Sequence, residues 1–198
     1  MEEAACFQLA QRMASLQPSA TLAMAARAGA MKASGIDVID LSVGEPDFPT
    51  PEHICQAGKA AISAGKTKYT PAAGIPALRE AIANDYPRRS GLAVTPAQVI
   101  VSNGAKHSLH NVFTSVLNPG DEVIVPTPYW VSYAELIKLA GAIPVLVETS
   151  IDEDFKLQPN AFKSAITPRT RMLLLCSPSN PTGVVYSREE LVSIADVA

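Results

Sequence analysis

Apolar residues along this chain alternate between two periods, and each change of period marks a new element. Residues 5–16 carry Phe7, Leu9, Met13 and Leu16 at weakly helical spacing, and Pro18 ends that segment or starts the next. Residues 20–34 are rich in alanine, with Leu22, Met24 and Met31, a strongly helix-forming composition, and Gly35 suits the position after its end. Residues 38–41 read as a short strand. Thr50 is placed to N-cap a helix that has Pro51 in its first position, Glu52 in its first turn and its end near Ser63. Pro76 opens a further helix carrying Leu78, Ile82 and Tyr86.

The apolar β-branched run at 99–101 reads as a buried strand, and Ser102-Asn103-Gly104 as a turn. Leu109, Val112, Phe113 and Val116 then recur at helical spacing. Strands follow at 122–125, 142–147 and 172–176, and helices at 130–139, 160–166 and from Arg188 onward. Strands alternating with helices imply an α/β fold with a mostly parallel sheet. Such sheets bind ligands in loops at the carboxyl ends of their strands, which here are 102–106, 126–130 and 177–183.

The first of these loops has a chemical signature. A strand entering a helix through a glycine turn aims backbone N–H groups at one point. The helix dipole there favours an anion by ~0.3–1 kcal/mol, or up to ~2 when partly buried. Lys106 adds a full positive charge in the same turn. An ordinary βα turn with a surface lysine is the alternative, and this stretch alone leaves both open. Trp130, the one tryptophan, follows Pro126-Thr127-Pro128-Tyr129 at a strand end. It is placed either to stack on a flat ring or to fill the core. Asn180, in Asn180-Pro181-Thr182-Gly183, is either a hydrogen-bond donor to a ligand oxygen or simple turn chemistry. Gly65-Lys66-Thr67 ends like a nucleotide-binding P-loop, but the required first glycine is Ala60 and no strand precedes it.

Composition narrows the classes. The 198 residues are 47% hydrophobic and 18% charged, which is globular and neither disordered nor membranous. A net charge of −3 without a basic run argues against nucleic acid. No apolar run approaches the ~20 residues of a membrane span. Cys6, Cys55 and Cys176 are odd in number and widely spaced, and Met1-Glu2-Glu3 lacks the basic start of a signal or transit peptide. The expected setting is a reducing cytoplasm.

Taken together, the segments resemble one family. These are Pro18-Ser19-Ala20-Thr21, Gly44-Glu45-Pro46-Asp47-Phe48, Lys66-Thr67-Lys68-Tyr69, Gly74-Ile75-Pro76 and Gly104-Ala105-Lys106. They continue with Pro119-Gly120-Asp121-Glu122-Val123, Pro128-Tyr129-Trp130-Val131-Ser132-Tyr133 and Ser177-Pro178-Ser179-Asn180-Pro181-Thr182-Gly183. In this order they resemble the N-terminal portion of class I aminotransferases that use pyridoxal phosphate (PLP), in the aspartate aminotransferase branch. The resemblance implies PLP-dependent transferase fold type I, a mostly parallel sheet with helices on both faces. It divides the chain into an N-terminal arm (1–17), an N-terminal segment of the small domain (18–50) and a partial PLP-binding large domain (51–198).

It also implies roles. Gly104, Ala105 and Lys106 look like the phosphate loop, and Lys106 also like a contact to the substrate's distal carboxylate. Tyr69 looks like the residue that reaches the cofactor phosphate of a neighbouring subunit in a homodimer. Trp130 looks like the ring-stacking residue, Asn180 like the donor to the cofactor's phenolic oxygen, and Gly44 like a backbone contact to the substrate α-carboxylate; Trp130 and Asn180 also border the substrate. Cis peptides are implied before Pro128 and Pro181. Substrates would be an amino acid and a 2-oxo acid. Two positions depart from the pattern: Ala105 replaces the commoner second glycine, and Gln17 stands where relatives often carry a lysine, which points away from a prephenate-type substrate.

The Schiff-base lysine, the acid that pairs with the pyridine nitrogen and the usual α-carboxylate arginine lie downstream in this family. None of the lysines at 32, 59, 66, 68, 106, 138, 156 and 163 stands in the family's lysine motif, so these 198 residues are expected to be inactive alone. Two other readings remain: a non-catalytic product that pairs with an intact subunit, or another enzyme of this fold such as a carbon–sulfur lyase.

Overall fold

The structure is a computed structural model that describes residues 8–14, 16–42 and 44–198. It forms two compact units, one comprising Met1–Ile36 with Leu109–Ala198 and the other Asp37–Ser108.

In the first unit, α1 (Gln11–Ala14) precedes α2 (Ala20–Ala33). Residues 5–7 and 15 of the expected first helix lie outside the described residues. Ser19 Oγ accepts from the Leu22 N–H at 3.3 Å and so caps α2. Its other end closes with Ile36 N–H bonded to the Met31 carbonyl and Gly35 N–H to the Lys32 carbonyl. Gly35 takes φ +80°, the left-handed geometry this double closure requires.

Among the described residues the sheet has three parallel strands in the order β2-β1-β3: β1 (Glu122–Pro126), β2 (Ile143–Val147) and β3 (Thr170–Leu173). Central β1 is almost wholly excluded from water, while Ile143 and Leu146 of β2 are about half exposed. Pro144, which lacks a backbone donor, is confined to β2. Side chains of β1 alternate between two cores, as the strand period dictates. Val123 and Val125 meet Phe113 and Leu117, from α5 (Gly104–Val116) and the residue after it, and Ile137 of α6 (Ser132–Leu139). Ile124 meets Phe162 of α7 (Pro159–Ala165) and Ile194 of α8 (Arg188–Ala195). The crossover from β1 to β2 runs one way and the return to β3 runs the other. Right-handed connections therefore put α6 and α7 on opposite faces, the expected layering.

The second unit holds α3 (Glu52–Ser63), α4 (Pro76–Ser90), a 3-10 turn at Pro96–Gln98 and the first turn of α5. Arg79 ties α4 to the turn, donating to the Val99 carbonyl at 2.9 Å and the Pro96 carbonyl at 2.5 Å. Val101 N–H donates to the Ala73 carbonyl at 3.0 Å. Gly74 beside it, at φ +102°, packs so closely that a Cβ there would lie 2.7 Å from Val101 Cβ.

Several expectations are corrected. Residues 38–41 and 99–101 form no strand. A strand exists only where a partner pairs it, and Ile39, Leu41 and Ile100 are 87%, 90% and 71% exposed. Loop 102–106 therefore follows an irregular segment rather than a strand. β3 ends at Leu173, although Leu174 N–H still reaches the Ile124 carbonyl at 2.9 Å. Pro51 replaces Thr50 as the N-cap of α3, and no side chain caps it. Thr50 offers only its carbonyl, to the Cys55 thiol at 3.5 Å. Among the described residues no helix is long and apolar enough to cross a membrane.

Candidate active site

The strands β1 and β3 are parallel neighbours, so their outgoing loops leave the sheet at the same end. After β1 the chain turns through a cis Thr127-Pro128 bond into Tyr129 and Trp130, and α6 begins two residues later. Thr127 N–H donates to the Val147 carbonyl at 2.9 Å, which holds the start of the turn against β2. Beyond β3, residues 177–183 fold through cis bonds before Pro178 and Pro181. Gly183 N–H donates to the Ser179 carbonyl at 2.8 Å and Ser179 N–H to the Val184 carbonyl at 2.9 Å, so this loop is closed on itself. The cis bonds before Pro128 and Pro181 are those the resemblance implies; the one before Pro178 is additional.

Between the two loops lies a recess lined by Tyr129, Tyr133, Phe155, Cys176, Asn180 and Tyr186. These aromatic side chains share the wall with aliphatic and proline residues of both strand ends, and Asn180 carries its one amide side chain. Trp130 stands beside the recess, its ring 5.4 Å from that of Tyr133 at an interplanar angle of 87°, an edge-to-face pair. Burial, and then the bond to the Cys176 sulfur, push the Tyr133 phenol up to about 12. The Cys176 thiol also donates to the Pro178 carbonyl at 3.2 Å. Tyr186 is buried, its hydroxyl accepting from Leu157 N–H at 2.7 Å. Phe155 holds φ +53°, directly after Asp154 at +52°, a backbone region that bulky residues seldom adopt.

The structure thus brings together Asn180 and the Trp130 turn within one unit. Gly44, Tyr69, Gly104, Ala105 and Lys106 belong to the other. There Gly104 opens α5 at φ +80°, with its N–H taken by the Ser102 carbonyl at 2.9 Å. Asn103 N–H donates to His107 Nδ1 at 3.1 Å. The amides of Ala105 and Lys106 lie in the first turn of α5. Gly44 and Lys106 are exposed and Tyr69 is fully so.

Sequence reasoning passed over Tyr133, Cys176, Phe155 and Tyr186. The first had a signal: Tyr133 stands three residues after Trp130, one helical turn on. Cys176 had one too, closing the segment that enters loop 177–183, whereas Phe155 and Tyr186 lie outside the expected loops and had none. Among the described residues no three His, Cys, Asp or Glu side chains gather to hold a metal.

The family model for aminotransferase class I and II matches residues 36–198. An aspartate aminotransferase of Geobacillus stearothermophilus is 54% identical over 96% of this chain and 48% of its own length. An aspartate/prephenate aminotransferase of Thermus thermophilus is 50% identical over 96% of this chain and 49% of its own. The solved structure of aspartate aminotransferase from Thermus thermophilus with maleate superposes with a TM-score of 0.93 at 49% identity, covering 97% of this chain and half of that one. That of the aspartate aminotransferase from Rhizobium meliloti gives 0.92 at 46%, over 96% of this chain and 48% of that one. The chain spans about half the length of the curated relatives it matches. With that sequence match, the shared fold and the paired loops at the carboxyl ends of β1 and β3, the chain belongs to the class I and II aminotransferase family, in its aspartate aminotransferase branch, and has fold type I architecture.

Proposed function

We propose that these residues form part of the cofactor and substrate site of a PLP-dependent aminotransferase that moves an amino group from aspartate or glutamate to a 2-oxo acid. The observation that supports this most is the recess at the ends of β1 and β3, where tyrosine rings meet the single amide of Asn180. The Asn180 amide is a donor of the kind a phenolic oxygen takes, and a helix start such as that of α5 is of the kind a phosphate takes. When bound, PLP supplies an electron sink for the substrate's α-carbon.

The chain's own residues have separate tasks. Trp130 stacks on the ring. Asn180 donates its amide N–H to the phenolic oxygen and holds that oxygen as an anion. Gly104, at positive φ, brings the backbone amides of Ala105 and Lys106 toward the phosphate, and Lys106 adds charge there and toward a distal substrate carboxylate. Gly44 offers backbone to the α-carboxylate. The full exposure of Tyr69 supports a reach to a neighbouring subunit, hence a homodimer. On this reading the domain division stays as the resemblance gives it: an arm at 1–17, a small-domain segment at 18–50 and large-domain sequence at 51–198. The compartment is the cytoplasm.

The test is titration of the 198-residue chain with PLP, followed by quenching of Trp130 emission. Saturable quenching is expected. Asn180→Ala should weaken it by about tenfold or more, the scale of a hydrogen bond to a charged oxygen (~1.5–3 kcal/mol). Lys106→Ala should weaken it further as salt falls. No saturation, or full affinity in both variants, overturns the site. Transamination by this chain alone is expected to be absent, and its appearance would overturn the view that none of these lysines is the nucleophile.

A further inference from the structure

Trp130 belongs to neither a strand nor a helix. In a turn the plane of a large ring is set by side-chain contacts rather than by a regular backbone, and its two side-chain torsions carry entropy that ordering removes. Tyr133, by contrast, stands in the first turn of α6 and packs on the core formed by Phe113, Val125 and Ile137. Its N–H donates to the Trp130 carbonyl at 2.9 Å, so the two residues share one turn of chain. Its ring meets Trp130 edge-on. Tyr133 also lines the same recess as Cys176, on the segment continuing β3. Two contacts, one of backbone and one of rings, thus connect the tryptophan through one tyrosine to a rigid helix.

We propose that Tyr133 is a positioning residue whose ring, anchored by its packing on the core, fixes the plane that Trp130 presents to a flat ligand. This rests on the reading that Trp130 stacks on the cofactor ring. Pre-setting that plane moves the ordering cost from binding to folding, which raises affinity without any new contact to the ligand.

Trp130 is the one tryptophan in the sequence, so the long-wavelength tryptophan band in near-ultraviolet circular dichroism reports its immobilisation directly and without cofactor. The full 198-residue chain would be compared with Tyr133→Leu and Tyr133→Phe, with far-ultraviolet dichroism checking the fold. Tyr133→Leu should lose most of the band. Tyr133→Phe, which keeps the ring and its core packing, should retain it. An unchanged band in a folded Tyr133→Leu overturns the proposal. Should that variant not fold, loss of the band in a folded Tyr133→Phe overturns it equally. PLP affinity, read in parallel, should fall roughly 2- to 12-fold in Tyr133→Leu, the worth of one edge-to-face pair. Absence of saturable PLP binding to the unsubstituted chain would remove the functional reading while the dichroism arms still decide the role of Tyr133.

Discussion

Single residues here act through the space and the partners left to them. At Gly74 two costs coincide. The φ of +102° strains any L side chain, and the new Cβ would meet Val101 at 2.7 Å. Gly74→Ala should therefore destabilise by ~1–3 kcal/mol from the backbone alone, with the clash in addition. Urea unfolding checks this, and adding Val101→Ala should restore the steric part only. Tyr186→Phe deletes the acceptor of the buried Leu157 N–H and should cost ~1–3 kcal/mol with little change in shape. Legibility at this scale was uneven. Gly104 could be read in advance because a turn ahead of a helical period asks for glycine. Phe155 could not, since nothing in Asp154-Phe155 announces two left-handed residues.

Elements succeed or fail by their partners. The stretch 122–125 is a strand in fact because β2 and β3 pair it on both sides. The equally apolar 99–101 has two backbone N–H bonds, from Val99 to the Pro96 carbonyl and from Val101 to the Ala73 carbonyl, neither to a strand, and stays irregular. Sequence period shows which way side chains prefer to point and is silent on whether a neighbour exists. That is why three of five expected strands formed while the helices largely kept their places. The same pattern holds for the site: the two loops were legible from proline, glycine and asparagine, their meeting in one recess only from the adjacency of β1 and β3. One helix signal went unread. Ser187 and Glu190 form a reciprocal cap on α8, with Glu190 N–H donating to Ser187 Oγ at 3.2 Å and Ser187 N–H to Glu190 Oε2 at 2.6 Å. Ser187→Ala should cost ~0.5–2 kcal/mol, seen as a lower thermal midpoint.

For the molecule as a whole, charge sets a window of pH. Thr167 and Arg169 hold the Glu122 carboxyl below its usual range, and Lys156 and Ser187 do the same for Glu190. Their contributions are present above the ordinary carboxylate range and are lost as pH falls through the lowered values. Lys156, raised by Glu190, and Tyr133, raised chiefly by burial, act at the other limit. The Tyr133 contribution is complete below its ordinary 10.0 and disappears as pH rises to about 12. The thermal midpoint should show a broad plateau. Glu122→Gln should flatten its acid limb and Tyr133→Phe its alkaline limb, and a scan across pH tests both. The placement of β1, paired on both edges and walled by a core on each face, also has a consequence in time. An amide at the centre of β1 can reach deuterium only when both cores have opened, whereas outer β2 needs far less disturbance. Deuterium uptake should therefore advance inward from β2, with Ile124 among the last amides to exchange, and its rate measures how often the first unit opens completely.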